Sequence, residues 1–450
     1  MEVDPPDPGT EFDVHQSLVR QLVVPCVARH RAGSGDGTVT LAITAAQYID
    51  GKIGIHVAVD QDRVMAVRIV SSRRTDASAV LEGRPFADSL RAVPLLFSVC
   101  GVAQASAAAT ACEQAGGRAV AAWERARRRI LVAAEMVQEH AGRMLLDWPE
   151  LFLGSAPQIE ELVAVRRHVT GVMRALGGGI HPAGKVQTVD LVATSEQISW
   201  LDAALARGIF GVSPAQWLRI RDCRTLRAWW SRTTTVTARV LETVADGALA
   251  DLGRSAVAML PPGVTAALEI KLDADTAQTE PFSARPDWDG QACETGPLAR
   301  QRWRSLVAEL HRRHGNGLMT RLTARLTDLA ALPRRMQRYL QVMRASGKVE
   351  LPVQGGVTAG AAHCGTGVVE TARGRLIHRV RLRAGVVERY RIVAPTEWNF
   401  HPDGPLVRGV MTLPAADKRE LRRQVAMLVI ALDPCVAHDV IVEPSGAEET

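Results

Sequence analysis

Two short segments near opposite ends of the 450-residue chain carry side chains able to hold a metal: Cys100-Gly101-Val102-Ala103 and Asp433-Pro434-Cys435-Val436-Ala437-His438. Thiolates are soft donors and imidazole suits several first-row metals, so Cys100, Cys435 and His438 form a candidate ligand set if the fold joins the two ends. Each segment also has a structural reading. A buried cysteine packs as a small hydrophobe, and a proline before a cysteine at a helix end is ordinary turn chemistry. Asp433 reads either as a group that orients such a pocket or as the N-cap of a turn. Zinc at Cys100, Cys435 and His438 is chemically reasonable but lacks a fourth ligand. Cys26, Cys112, Cys223, Cys293 and Cys364 match no ligand position and are assigned to packing, and the pair His363-Cys364 has no further donors nearby.

The elements that must position these residues are mostly helical. The segment from Cys100 to Gly117 consists largely of small residues, which let neighbouring backbones approach closely and suggest a helix deep in the fold. A long helix is expected over about Arg118–Leu146, another over Ile159–Leu176 stopped by Gly177-Gly178-Gly179, and mostly helix over 195–250 and 298–346, the last broken near Pro333. Residues 51–72 alternate Val and Ile with polar residues, which predicts two strands turning at Asp60-Gln61-Asp62. A strand is expected at Ala266–Leu272, more strands over Val368–Val393 with a turn at Ala384-Gly385, and a final helix over about Ala415–Ala431. No internal repeat is visible. The sum is a predominantly helical α+β chain: a tail at 1–14, a single domain over 15–443 and a short tail at 444–450.

Composition removes several function classes. Hydrophobic residues make up 47% of the chain, enough for a sizeable core, while aromatics are only 4%, with three tyrosines, too few for a base-stacking platform. The 54 basic and 48 acidic residues give a formal charge of +6, too nearly balanced to imply a polyanionic partner. Runs such as Arg127-Arg128-Arg129 read first as solvated helix faces. Seven scattered cysteines fit reduced thiols rather than a disulfide framework. The acidic, proline-rich start MEVDPPDPGTEFD is unlike a signal peptide, and no apolar run of about 18 residues is present. The expectation is a soluble, cytoplasmic protein with no nucleic-acid or membrane partner.

With their surroundings, the two segments resemble the NiFe-hydrogenase large subunit. In that family two Cys-x-x-Cys pairs, one near each end, bind the metals. The first lies in R-x-C-G-x-C-x-x-x-H, which here reads Ser98-Val99-Cys100-Gly101-Val102-Ala103 with Ala107 at the histidine position. The second lies in D-P-C-x-x-C-x-x-H, which reads Asp433 to His438 with Ile441 last. Further matches keep chain order: Tyr48-Ile49-Asp50-Gly51-Lys52 for R-I-E-G-H, Leu81-Glu82-Gly83-Arg84-Pro85 for L-x-G-R, Glu370 to His378 for E-A-P-R-G-x-L-x-H, and Ala394 to Asn399 for V-P-T-x-W-N. Collinear order from about residue 40 to 443 is more specific than any one motif. The resemblance implies the family's fold, with a central bundle of long helices and small peripheral sheets.

The resemblance also implies a degenerate metal site. The family's nickel is held by four thiolates, two of which bridge to an iron carrying cyanide and carbon monoxide. Here the bridging positions are Ala103 and His438, while Cys100 and Cys435 match the nickel-terminal ones, so a normal centre cannot form and no hydrogenase activity is expected. Arg373 and Thr396 match the positions that hydrogen-bond the cyanides, although Ala372 replaces the family's proline. This is the pattern of the hydrogenase-like maturation scaffolds called HupK or HoxV. It implies a transient Fe(CN)2(CO) unit on Cys100 and Cys435 with His438 as a third donor, no nickel, Arg373 and Thr396 gripping the cyanides, and Asp433 orienting Arg373 or His438. The implied partners are the hydrogenase large-subunit precursor and the maturation proteins that build the iron unit. Two other readings stay open: an oxidoreductase with an altered centre, and a cofactor-free pseudo-subunit that only chaperones assembly.

Overall fold

Residues 52–71 form the expected hairpin. Strands β1 (Lys52–Asp60) and β2 (Arg63–Ser71) pair antiparallel, with Gln61 left-handed at the turn (φ 50°). The computed structural model describes residues 51–73, 77–97, 99–180, 188–274, 282–347 and 362–445. Cys26, the tail at 1–14, the motif residues Tyr48-Ile49-Asp50, and residues 446–450 of the second tail lie outside the described residues.

Helix α1 (Gly101–Ala115) carries the small residues, and α2 (Ala122–Gly142) follows it, ending in one wider π-type turn over Arg143–Asp147. Buried Ile130, Leu131, Ala134, Val137 and Ala141 recur at helical spacing on α2. Helices α3 (Ile159–Ala175) and α4 (Leu191–Leu205) add to the bundle. Residues 265–274 form a helix, α5 (Thr265–Ala274), and not the expected strand. Leu268, Ile270 and Leu272 alternate, but only Leu268 and Leu272 are buried, one helical turn apart, while Ile270 is exposed. The intervening Ala, Glu and Lys favour helix. Helix α6 (Leu318–Ser346) runs unbroken through Pro333, against expectation. Nearly every residue from Leu318 to Pro333 is buried, and packing on several sides overrides a local cost of about 3 kcal/mol for an interior proline. The antiparallel-running pair α2 and α6 packs along its length, with α3 and α4 against it.

A second sheet is an antiparallel meander of β3 (Ala362–Glu370), β4 (Arg375–Arg383) and β5 (Val386–Val393), turning at Ala384-Gly385 as expected. It explains the small residues of α1. A Cβ on Gly365 would lie 2.0 Å from the Ala111 carbonyl oxygen, and one on Gly367 would lie 1.8 Å from that of Ala107. The close neighbour of α1 is thus a strand backbone. The short helix α7 (Pro395–Asn399) follows β5, then α8 (Lys418–Leu432) and a last strand, β6 (Ala437–Pro444). β6 pairs parallel to β1, giving the order β2-β1-β6, so one sheet joins both ends of the described chain. Ile53, Ile55 and Val57 of β1 pack on Leu421, Val425 and Leu428 of α8.

Two of the arginines expected on a solvated face are buried instead: Arg127 and Arg128 pair with Glu124, and Arg128 also with Glu113. No described helix is long and apolar enough to cross a membrane.

Candidate functional site

The strand pairing of β1 with β6 and the packing of α1 on the meander bring the two cysteine segments together. Cys100 sits at the start of α1, and Cys435 lies between the end of α8 and β6. Both sulfurs line one narrow cavity with Arg73, Gln104, Thr371 and Arg373 among apolar Phe97, Leu376 and Pro395. Burial pushes the Cys100 thiol well above its ordinary range. The adjacent Cys435 sulfur and Glu135 push the same way, opposed by Arg373 and Gln104.

Arg373 comes from the tight turn between β3 and β4. Thr371 and Gly374 exchange backbone hydrogen bonds there, and the Arg373 N–H donates to Thr371 Oγ1 at 3.1 Å. Gly374 has φ 141° and its missing Cβ leaves room for Thr295. The Asn399 side chain on α7 donates to the Arg373 carbonyl. The guanidinium is buried: Nη2 donates to Glu139 at 2.7 Å, and Nε stands 3.4 Å from Asp433. Burial disfavours its charge, but Asp433, Glu139 and the two sulfurs outweigh that and raise its pKa. Thr396, at the start of α7, places Oγ1 3.2 Å from the Cys435 sulfur.

Asp433 is the buried anion beneath the cavity. It is the C-cap of α8 in a left-handed conformation (φ 59°), not the N-cap of a turn. Arg143 Nε donates to it at 2.6 Å and Arg325 Nη1 at 2.8 Å. Burial alone would raise its pKa, but Arg373, Arg143 and Arg325 together hold the carboxyl well below the usual range. Its hydrogen bonds go to Arg143 and Arg325, and its contact with Arg373 is ionic, at 3.4 Å with no hydrogen bond to Nε.

The structure does not bring His438 to the two sulfurs. It lies on β6 opposite Ile53, half-buried, with burial and nearby Arg143 lowering its pKa, and it does not line the cavity. The rise along β6 carries residue 438 away from the turn that holds Cys435. Among the described residues, no three His, Cys, Asp or Glu side chains converge as a metal cluster. The sulfurs stand as a pair.

Several contributors escaped the sequence reading. Glu135 on α2 accepts from the backbone N–H groups of Val102 (2.8 Å) and Ala103 (2.9 Å), satisfying amides left free at the start of α1. Burial raises its pKa to about 8 despite those bonds. Glu139, one turn further on, holds Arg373, and Arg325 reaches in from α6. The available signal was a pair of carboxylates four residues apart inside the apolar run Leu131 to Ala141. Arg73, on the cavity wall, is paired with buried Glu397, the neighbour of Thr396.

Comparisons with known proteins bear on the family and the fold. Residues 264–440 match the family model for nickel-dependent hydrogenase. The chain is 33% identical over 381 residues to the hydrogenase expression/formation protein HoxV of Cupriavidus necator, covering 83% of this chain and 92% of that one. It is 29% identical over 407 residues to the hydrogenase expression/formation protein HupK of Rhizobium leguminosarum bv. viciae, covering 88% and 98%. In fold it is similar to the Ni-Fe-Se hydrogenase of D. vulgaris Hildenborough, with a TM-score of 0.64 at 18% identity over 84% of this chain and 94% of that one.

Proposed function

The chain belongs to the family of hydrogenase expression/formation proteins named HoxV and HupK, and from that premise we propose that it serves hydrogenase maturation as a non-catalytic carrier. Its cargo is an iron bearing cyanide and carbon monoxide, held by Cys100 and Cys435 and passed to the hydrogenase large-subunit precursor. The observation that carries this reading is the convergence of Cys100, Cys435 and Arg373, far apart in sequence, on one cavity. Thiolates are suitable ligands for such an iron. A cyanide nitrogen is a strong acceptor with partial negative charge, which a guanidinium and a hydroxyl match. Arg373 supplies the guanidinium at the cavity wall, and Thr396 supplies a hydroxyl 3.2 Å from the Cys435 sulfur. Nickel would lack two of the family's four thiolates, because those positions are Ala103 and His438 here.

The test is infrared spectroscopy with iron and nickel analysis of the protein isolated from a cell making hydrogenase. Cyanide and carbonyl stretches with iron and negligible nickel are expected, and Cys100→Ala should abolish the bands. The competing reading is a cofactor-free chaperone. It predicts no diatomic bands and normal hydrogenase maturation after replacement of either cysteine.

A further inference from the structure

Behind Cys100 a chain of buried polar side chains runs away from the cavity. Gln104, one turn along α1, places Nε2 3.5 Å from the Cys100 sulfur. Its Oε1 is 2.7 Å from His378 Nε2, and His378 Nδ1 is 2.9 Å from the Tyr390 hydroxyl. Gln104 is 2% exposed, and His378 and Tyr390 are fully buried. Such a line of groups inside an apolar core is costly unless each hydrogen bond is made.

Shape alone does not decide which end of a carboxamide faces the sulfur. The far end of the chain decides it. Among the described residues, the hydrogen-bond partner of the Tyr390 hydroxyl is His378. If the hydroxyl accepted, its own proton would be orphaned in the core, so it donates to Nδ1. Burial keeps His378 neutral, its pKa lowered to about 3. With Nδ1 accepting, Nε2 must carry the proton and donate to Gln104 Oε1. The amide N–H groups are then left facing Cys100.

We infer that Gln104 is a positioning residue for the cargo site: its carboxamide, locked by His378 and Tyr390, presents N–H to the Cys100 sulfur and sets how strongly that sulfur donates. A hydrogen bond to a thiolate draws electron density from sulfur and stabilises the anion. The aim of the amide at sulfur stands on geometry; only the identity of what the sulfur binds rests on the carrier reading.

Two variants test this in the full-length protein. Gln104→Leu removes the donor at similar volume. Tyr390→Phe keeps the edge-to-face ring contact with His378 but removes the hydroxyl that fixes the tautomer, without touching Cys100. The first readout needs no iron: the rate of iodoacetamide alkylation at Cys100, resolved by peptide mapping at one pH, with half-buried Cys223 as internal reference. Gln104→Leu should slow it about tenfold or more, and Tyr390→Phe should slow it by a smaller factor in the same direction. The second readout is the carbonyl stretch of the iron-loaded protein. With the donor gone the sulfur gives more charge to iron, back-donation rises, and the band moves to lower wavenumber. Unchanged alkylation in both variants overturns the inference, and so does slowing by Gln104→Leu with none by Tyr390→Phe, because the lock is then absent. Wild-type protein without diatomic bands but with the predicted alkylation pattern removes the carrier reading and leaves the amide's role intact.

Discussion

Replacing Asp433 by asparagine keeps the side chain's shape and removes one buried negative charge from among three arginines. Asp433 is fully buried, Arg325 and Arg373 are nearly so, and Arg143 is 23% exposed, which screens its share. Removing one partner of a buried ion pair costs about 3–5 kcal/mol, because the remaining charge is stranded away from water. Here two guanidinium groups are stranded, although Glu139 still holds Arg373, so the expected loss is about 4 kcal/mol. Equilibrium urea unfolding of Asp433→Asn against wild type measures it. Adding Arg325→Met takes away one stranded cation and fills its volume with apolar atoms, and should recover about 2 kcal/mol of the loss. A loss below about 1 kcal/mol, or a double variant whose cost is the sum of the singles, would show that these charges are not one coupled unit.

Three further perturbations have definite outcomes. Gly367→Ala sets a Cβ against the Ala107 carbonyl, a backbone atom that cannot swing aside, and should cost about 3 kcal/mol or more, whereas Gly142→Ala, in open space with helical angles (φ −55°, ψ −52°), should be neutral or stabilising by up to about 1 kcal/mol; thermal unfolding separates the two. Burial holds His140 at a pKa of about 4, against its bond to Asp328, and His378 at about 3, both below the ordinary 6.5. Their folded pKa values are depressed, so their contribution is complete above about pH 6.5 and is lost as pH falls, by about 2 kcal/mol each between pH 6.5 and 5; urea midpoints at those two pH values should differ accordingly, and less so in His378→Gln. Thr396→Val keeps the volume and removes the hydroxyl beside Cys435, which should cost about 1 kcal/mol and, on the carrier reading, shift the cyanide bands while leaving a carbonyl band in the infrared spectrum.

The helical framework and both hairpins were legible because their patterns are local: the alternation of β1 and β2, the apolar stripe of α2, the turn at Ala384-Gly385. The errors came where two local readings compete or where tertiary packing decides. Leu268 and Leu272 fit a strand face and a helix face equally, and burial of one turn's spacing settled it as helix. Pro333 would stop an isolated helix, but α6 is enclosed on most of its surface. β6 carries a short alternation that makes sense only beside β1, almost the full chain away, and His438, offered as a donor because it stands at the family's second-cysteine position, lies on that strand and not in the cavity lining. Glu135, Glu139 and Arg325 look like any charges on long helices until the helices are packed. The meeting of Cys100 with Cys435 was not readable from periodicity at all; it came from the collinear motifs.

On the carrier reading, the burial that shapes the cavity also limits how tightly it holds iron. Burial, the Cys435 sulfur and Glu135 push the Cys100 thiol far above its ordinary value of 9.0. A metal needs the thiolate, so loading Cys100 releases a proton, and each unit by which its pKa exceeds the ambient pH subtracts about 1.4 kcal/mol from the apparent affinity. A resident cofactor is best served by thiolates that are already ionised. Cargo that has to leave is better served by sulfur that regains a proton on release, with Gln104 and Arg373 limiting the penalty enough for loading to occur at all. Two sulfurs where an acceptor has four lower the affinity in the same direction. On that reading, fewer bonds and costlier thiolates would together favour transfer to a site with a complete ligand set.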